Sequence, residues 1–184
     1  MGIKELSKKI QNKKAIITIV GLGYVGLPLA INFTLNGYKV LGLDNDLSKV
    51  NKLNSGKSYI NQFKDEIIKK ITKKRFRAYN EFKIIKSSDI IIFCLPTPIK
   101  KNKQPEMKYI KSSLNLSKRY FREGQLISFE STTYPGATEE YFLPLLKKFN
   151  IGKNFFLVYS PEREDPGNNK FNLTKIPKIV SGYT

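Results

Sequence analysis

Gly21, Gly23 and Gly26 stand in G-x-G-x-x-G spacing directly after the apolar run 16–20. A strand that runs into such a turn can cradle a pyrophosphate. The first glycine permits the tight bend, the second leaves its backbone bare for the anion, and the third lets the following helix approach closely. The free N–H groups and dipole of that helix then face the negative charge. Asp44 follows Gly26 by 18 residues and closes a second apolar run, 38–43, where a carboxylate can accept hydrogen bonds from an adenosine ribose. A 2′-phosphate would meet the charge of Asp44, so turn and carboxylate together predict NAD. Lys49, one turn into the helix after Asp44, reaches the same ribose or phosphate.

What the chain lacks limits the chemistry further. Among 184 residues there is no histidine and one cysteine, Cys94, which excludes an internal disulfide and a cysteine-rich metal site and removes the commonest acid–base group. Cys94 ends an apolar run without a histidine or other activating base nearby in the predicted fold, and reads as a small core residue rather than a nucleophile. The net charge of +18, from 33 Lys and Arg against 15 Asp and Glu, raises the question of a nucleic-acid partner. The excess is nearly all lysine, scattered without aromatic platforms or a recognisable module, and reads as solvated faces instead. No apolar run approaches the roughly 20 residues that span a bilayer, and the first residues lack a signal peptide's apolar stretch. The expectation is a cytoplasmic protein with no membrane, metal or nucleic-acid partner.

The elements that must position these residues alternate regularly. A polar leader helix is expected at 5–14, strands at 15–20, 39–43, 76–79, 90–95, 125–129 and 155–159, and a seventh at 178–180. Helices are expected at 24–36, at 47–54 with Asp46 as N-cap, over the Ile67, Ile68, Ile71 stripe, at 107–121, and at 137–149 with a kink at Pro144. The run 90–95 is continuously apolar, as in a strand buried on both faces. Strand–helix alternation with helical crossovers predicts an α/β, Rossmann-type doubly wound, mostly parallel sheet with helices on both faces. Its ligand crevice lies at the C-terminal strand ends. Five polar turns follow strands at that edge: 21–26, Asp44, 96–98 (PTP), 130–136 (ESTTYPG) and 160–167 (SPEREDPG). Each alone merely ends a strand; jointly they bring Thr97, Thr132, Glu162 and Arg163 to one rim.

The segments 20–29 (VGLGYVGLPL), 42–46 (GLDND), 53–60 (LNSGKSYI), 94–98 (CLPTP), 130–136 (ESTTYPG) and 159–168 (YSPEREDPGN) resemble the UDP-glucose/GDP-mannose dehydrogenase family. They occur in family order across essentially the whole chain, and the SPEREDPGN form is most similar to UDP-N-acetylglucosamine 6-dehydrogenases. The resemblance implies oxidation of the C6 hydroxyl of a UDP-sugar twice, by two NAD, through an aldehyde and a cysteine thioester to a uronic acid. It implies NAD contacts at Tyr24, Val25, Asp44, Lys49, Thr97 and Thr132, and a catalytic part for Thr132. It also implies water activation by Glu162 and sugar-nucleotide contacts at Arg163 and Glu164.

Family members are longer. The linking helix and the C-terminal UDP-sugar domain, with the catalytic cysteine, lysine, asparagine and aspartate, have no counterpart in residues 1–184. The expectation is therefore one NAD-binding domain over 1–184, its first 14 residues a leader helix, that binds NAD without turning over alone. Family dimerisation relies on the absent region, so the chain is expected to be monomeric. UDP-glucose or UDP-N-acetylmannosamine is the alternative substrate, and a non-catalytic nucleotide-binding module is the alternative class.

Overall fold

A computed structural model describes residues 2–162 and 177–183. Among the described residues seven strands form one sheet in the order β3-β2-β1-β4-β5-β6-β7. They are β1 (Ile16–Val20), β2 (Lys39–Leu43), β3 (Phe76–Tyr79), β4 (Ile90–Phe93), β5 (Leu126–Phe129), β6 (Phe156–Tyr159) and β7 (Ser181–Tyr183). All neighbouring strands run parallel except β6 and β7. Strand order reverses direction between β1 and β4, which opens a crevice at their C-terminal ends.

The helices cover the sheet in two groups. On one face, α2 (Gly26–Leu35) and α4 (Asp65–Lys74) bury Leu27, Ala30, Ile68 and Ile71 against Ile17, Ile19 and Phe76. On the other, α5 (Lys108–Ser117) packs Ile110 and Leu114 on Val20, Leu43, Ile91 and Phe93. A ring stack, Phe93 on Phe129 at 5.1 Å and Phe129 on Phe142 at 3.5 Å between centroids, continues that core. β4 is apolar on both faces because it lies between these two cores.

Local chemistry sets several boundaries. The Asp46 side chain accepts from the N–H of Ser48 and of Lys49 and starts α3 (Leu47–Asn54) as expected. Helix α1 (Ile3–Gln11) is shorter than expected. It docks through Leu6, which is buried, through the Tyr38 hydroxyl donating to the Ile10 carbonyl, and through Lys9 on Asp89.

Three expectations need correction. The helix expected over 107–121 is α5 followed by a 3-10 turn at Lys118–Tyr120. The helix expected over 137–149 is a π-helical turn, Thr138–Phe142, and a three-residue α6, Leu143–Leu145. Pro144 has no N–H to give the carbonyl four residues back, so a regular α-helix cannot run through it. The seventh strand lies at Ser181–Tyr183 rather than 178–180. Ile179 and Val180 are exposed, and Lys178 is drawn to two carboxylates, so ladder pairing begins only at Ser181 opposite Tyr159.

Candidate dinucleotide site

The turn between β1 and α2 is built by steric exclusion. Gly21 has φ of +90°, and a Cβ there would stand 2.5 Å from the Cys94 carbonyl oxygen. A Cβ on Gly26 would stand 1.8 Å from the Gly21 carbonyl oxygen, so the close approach that requires glycine is to the turn itself as well as to Ile19 of β1. Gly23 differs. A Cβ there would meet nothing within 4 Å, so its lack of a side chain keeps open space rather than fitting a protein neighbour. That space adjoins the N-terminus of α2, which no side chain among the described residues caps. The first-turn N–H groups of an uncapped helix are suited to an anion.

Asp44 locks this turn to β2. Its Oδ2 accepts from the Leu22 N–H at 2.9 Å, its Oδ1 from the Asp46 N–H at 3.0 Å, and its side chain is 8% exposed. Each carboxylate oxygen keeps lone-pair capacity for a ribose hydroxyl. Lys49 Nζ lies 3.9 Å from Asp44 Oδ2 and 5.8 Å from the centre of the Tyr59 ring. The Tyr59 hydroxyl donates to the Leu22 carbonyl. Burial, and then the charges of Asp44 and Asp46, push its ionisation well above the ordinary tyrosine range, so it remains a donor.

A cleft of about 600 Å³ opens above the strand ends. Gly21, Gly23, Tyr24, Val25, Asp44, Lys49, Thr97, Thr132 and Glu162 all line it. Gly26 does not; it is buried beneath the turn. Tyr24 is 64% exposed at the mouth. The expected contacts of Arg163 and Glu164 lie outside the described residues. A wider depression of about 900 Å³ borders the cleft near Tyr134 and Tyr141, without a glycine turn or a buried carboxylate.

At the β5–β6 end the cleft meets a charged cluster of which the sequence reading named only Glu162 as a site residue. Lys178 pairs with Glu130 and, at 3.0 Å, with Glu162 Oε2; Ser128 Oγ donates to Glu130 Oε1 at 2.9 Å. Burial works to lower the Lys178 pKa, but the two carboxylates outweigh it and raise it, so the ammonium persists. Cys94 lies close to these charges. Burial first, and the Glu130 charge second, hold its thiol far above the usual range, with Lys178 only partly opposing them. It stays protonated, which agrees with a core role and not a nucleophilic one.

The other wall of the cleft, from α5, was also missed. Tyr109, Ser112, Ser113 and Leu116 line it, and their i, i+3, i+4, i+7 spacing was a signal available in the sequence. Lys178 had no such signal, because its pairing with Glu130 and Glu162 depends on the tertiary placement of the residues just before β7.

The bare space at Gly23, the enforced bends at Gly21 and Gly26 and the seated Asp44 carboxylate fit a dinucleotide. Residues 15–184 match the UDP-glucose/GDP-mannose dehydrogenase family, NAD binding domain. The UDP-N-acetyl-D-glucosamine 6-dehydrogenase of Pseudomonas aeruginosa is 36% identical over 174 residues, covering 91% of this chain and 40% of that protein. The UDP-N-acetyl-D-mannosamine dehydrogenase of Methanococcus aeolicus is 34% identical over 183 residues, covering 97% and 41% respectively. Among solved structures, NDP-N-acetyl-D-galactosaminuronic acid dehydrogenase from Methanosarcina mazei superposes with a TM-score of 0.82 at 28% identity, over 96% of this chain and 41% of that one. The chain thus spans about two-fifths of the length of the curated relatives it matches. With the glycine cradle, the strand order and this match in agreement, the chain belongs to the UDP-glucose/GDP-mannose dehydrogenase family, as its NAD-binding domain.

Proposed function

We propose that this chain is the cofactor-binding part of an enzyme that oxidises the C6 hydroxyl of a UDP-linked sugar to a carboxylate, with UDP-N-acetylglucosamine as substrate. The observation that carries the reading is the Gly21–Gly26 turn held to Asp44 through the Leu22 N–H. Bound NAD supplies the hydride acceptor for each oxidation. Gly23 and the α2 N-terminus take the pyrophosphate, Asp44 and Lys49 the adenosine ribose, and Tyr24, Val25, Thr97 and Thr132 the remaining cofactor surface.

Glu162 activates the water that releases the oxidised sugar, its carboxylate oriented by Lys178 at 3.0 Å. Arg163 and Glu164 contact the sugar nucleotide, and Thr132 borders the reacting carbon. The thioester step belongs to a cysteine outside this chain, since Cys94 is buried and protonated. UDP-N-acetylmannosamine stands as the second reading, because relatives of similar identity carry that name. The fused enzyme is a cytoplasmic homodimer on this reading, and this chain alone a monomer. Among the described residues no helix is long and apolar enough to cross a membrane.

Titration of the 184-residue chain with NAD and with UDP-N-acetylglucosamine, together with an assay for NADH, tests the proposal. NAD is expected to bind, the sugar nucleotide to bind weakly, and no NADH to form. Tight sugar-nucleotide binding would favour a non-catalytic nucleotide module instead. NADH formation by this chain alone would overturn the assignment of the thiol step elsewhere.

A further inference from the structure

Lys178 reaches the Glu130 and Glu162 carboxylates from behind. It lines a second cavity, of about 510 Å³, on the α2 face of the sheet between Phe33 and Val158, and it does not line the cofactor cleft. Glu130 borders both cavities and Glu162 the cleft alone. The ammonium therefore ties the turn after β5 to the turn after β6 from the side away from a bound ligand, and the antiparallel pairing of Ser181 with Tyr159 brings it there. Ser128 Oγ, on the same cavity as Lys178, completes the line by donating to Glu130 Oε1.

Two carboxylates share this one ammonium, so the trio carries a single negative charge in excess. The side chains are 30% exposed in Lys178, 7% in Glu130 and 9% in Glu162, so solvent screens their field only in part. That field reaches the cleft. The Cys94 thiol on the cleft wall is raised by burial first, then by Glu130 against the opposing Lys178, and least by Glu162. With Asp44 and Lys49 taking the adenosine ribose at the β2 end, the nicotinamide lies toward Thr132, two residues beyond Glu130. The oxidised ring is a cation and the reduced ring is neutral, so charge at this end acts on one form of the cofactor and not on the other.

We propose that Lys178 is a positioning residue that sets the charge at the nicotinamide end of the cleft: it gathers Glu130 and Glu162 on one ammonium and, by leaving the trio a single excess negative charge, keeps the preference for oxidised NAD over NADH modest. The inference rests on the NAD reading of the cleft. A site with a modest preference of this sign exchanges NADH for NAD between two successive oxidations without trapping either form.

Calorimetric titration of the 184-residue chain with oxidised NAD, NADH and ADP-ribose, at about pH 8 and so above the ordinary carboxylate range, tests this. Lys178→Met is expected to raise the ratio of NAD to NADH affinity by roughly three- to twentyfold, the scale of one unit charge about 10 Å away in a partly screened site. ADP-ribose, which lacks the nicotinamide, is expected to bind as before. Lys178→Arg, which keeps the charge, is expected to keep the ratio of the parent, and Glu162→Gln, which removes a carboxylate, to lower it. Should Lys178→Met lose ADP-ribose binding together with its fold, the fall expected in Glu162→Gln carries the test. An unchanged ratio in either of these two variants while ADP-ribose still binds, or the same shift in Lys178→Arg as in Lys178→Met, would overturn the proposal. Absence of ADP-ribose and NAD binding by the unmodified chain would instead overturn the cleft reading on which it rests.

Discussion

Gly23 and Gly26 differ in what occupies the position of a side chain, and the difference separates binding from folding. Gly26→Ala forces a Cβ to 1.8 Å from a backbone oxygen that cannot withdraw. The variant is expected to lose stability by several kcal/mol, on the scale of severe overpacking, measured as a lowered unfolding midpoint in denaturant. Gly23→Ala places its methyl in open space, so the unfolding midpoint is expected to stay near that of the parent while NAD affinity falls at least tenfold. Equal stability losses in the two variants would contradict the division of roles. Asp44→Asn keeps the shape of the side chain and removes the charge. It is expected to weaken NAD by about ten- to a hundredfold, as loss of a charged hydrogen-bonding group does, and to narrow the preference for NAD over NADP, read by paired titrations.

Elements are tied at the opposite edge of the sheet by another carboxylate. Asp89 is 3% exposed; its Oδ2 accepts from the Ile16 N–H at 3.0 Å, and its Oδ1 meets Lys9 at 2.9 Å and Arg122 at 3.3 Å. These contacts join α1, β1, β4 and the segment before β5. Burial would raise the Asp89 pKa, but the Ile16 N–H, Lys9 and Arg122 outweigh it and lower it. Because the folded pKa lies below the unfolded one, the contribution is complete above the ordinary aspartate range, near pH 4, and is lost as pH falls through the folded value. Asp89→Asn is therefore expected to cost about 1–3 kcal/mol at neutral pH and to flatten the acid limb of a stability-versus-pH curve. An unchanged acid limb would contradict the staple.

The same scale shows why some elements were legible and others not. Asp46 capping α3 and the glycine turn after β1 are decided by residues within a few positions, so their types and spacing suffice. The two-sided burial of β4 is written in its unbroken apolar run. By contrast, β7 begins three residues later than its apolar residues suggest because Lys178 answers to Glu130 and Glu162 across the fold. Ser113 stands on a helical stripe that the sequence spacing could have signalled, yet the lack of a partner for its hydroxyl among the described residues is a property of the packed cleft. Cys94 lines the cleft where a reactive thiol would be conspicuous, and only the packed structure shows the burial and the Glu130 charge that raise its pKa.

At the scale of the molecule, the doubly wound sheet gathers the glycine turn, Asp44 and the polar turns after β4, β5 and β6 around one cleft. The family match covers residues 15–184, while the relatives run well beyond the matched part. The positive charge of +18 is expected to leave no measurable affinity for DNA or RNA at moderate salt by fluorescence anisotropy, because the lysines are scattered rather than gathered on a reading surface.

On the reading proposed above, the Gly21–Gly26 cradle and Asp44 make a self-sufficient NAD site. Titration calorimetry of the 184-residue chain with NAD and NADP tests it most directly. One NAD per chain is expected to bind, with NADP at least tenfold weaker; no NAD binding, or a preference for NADP, would contradict a self-sufficient NAD site.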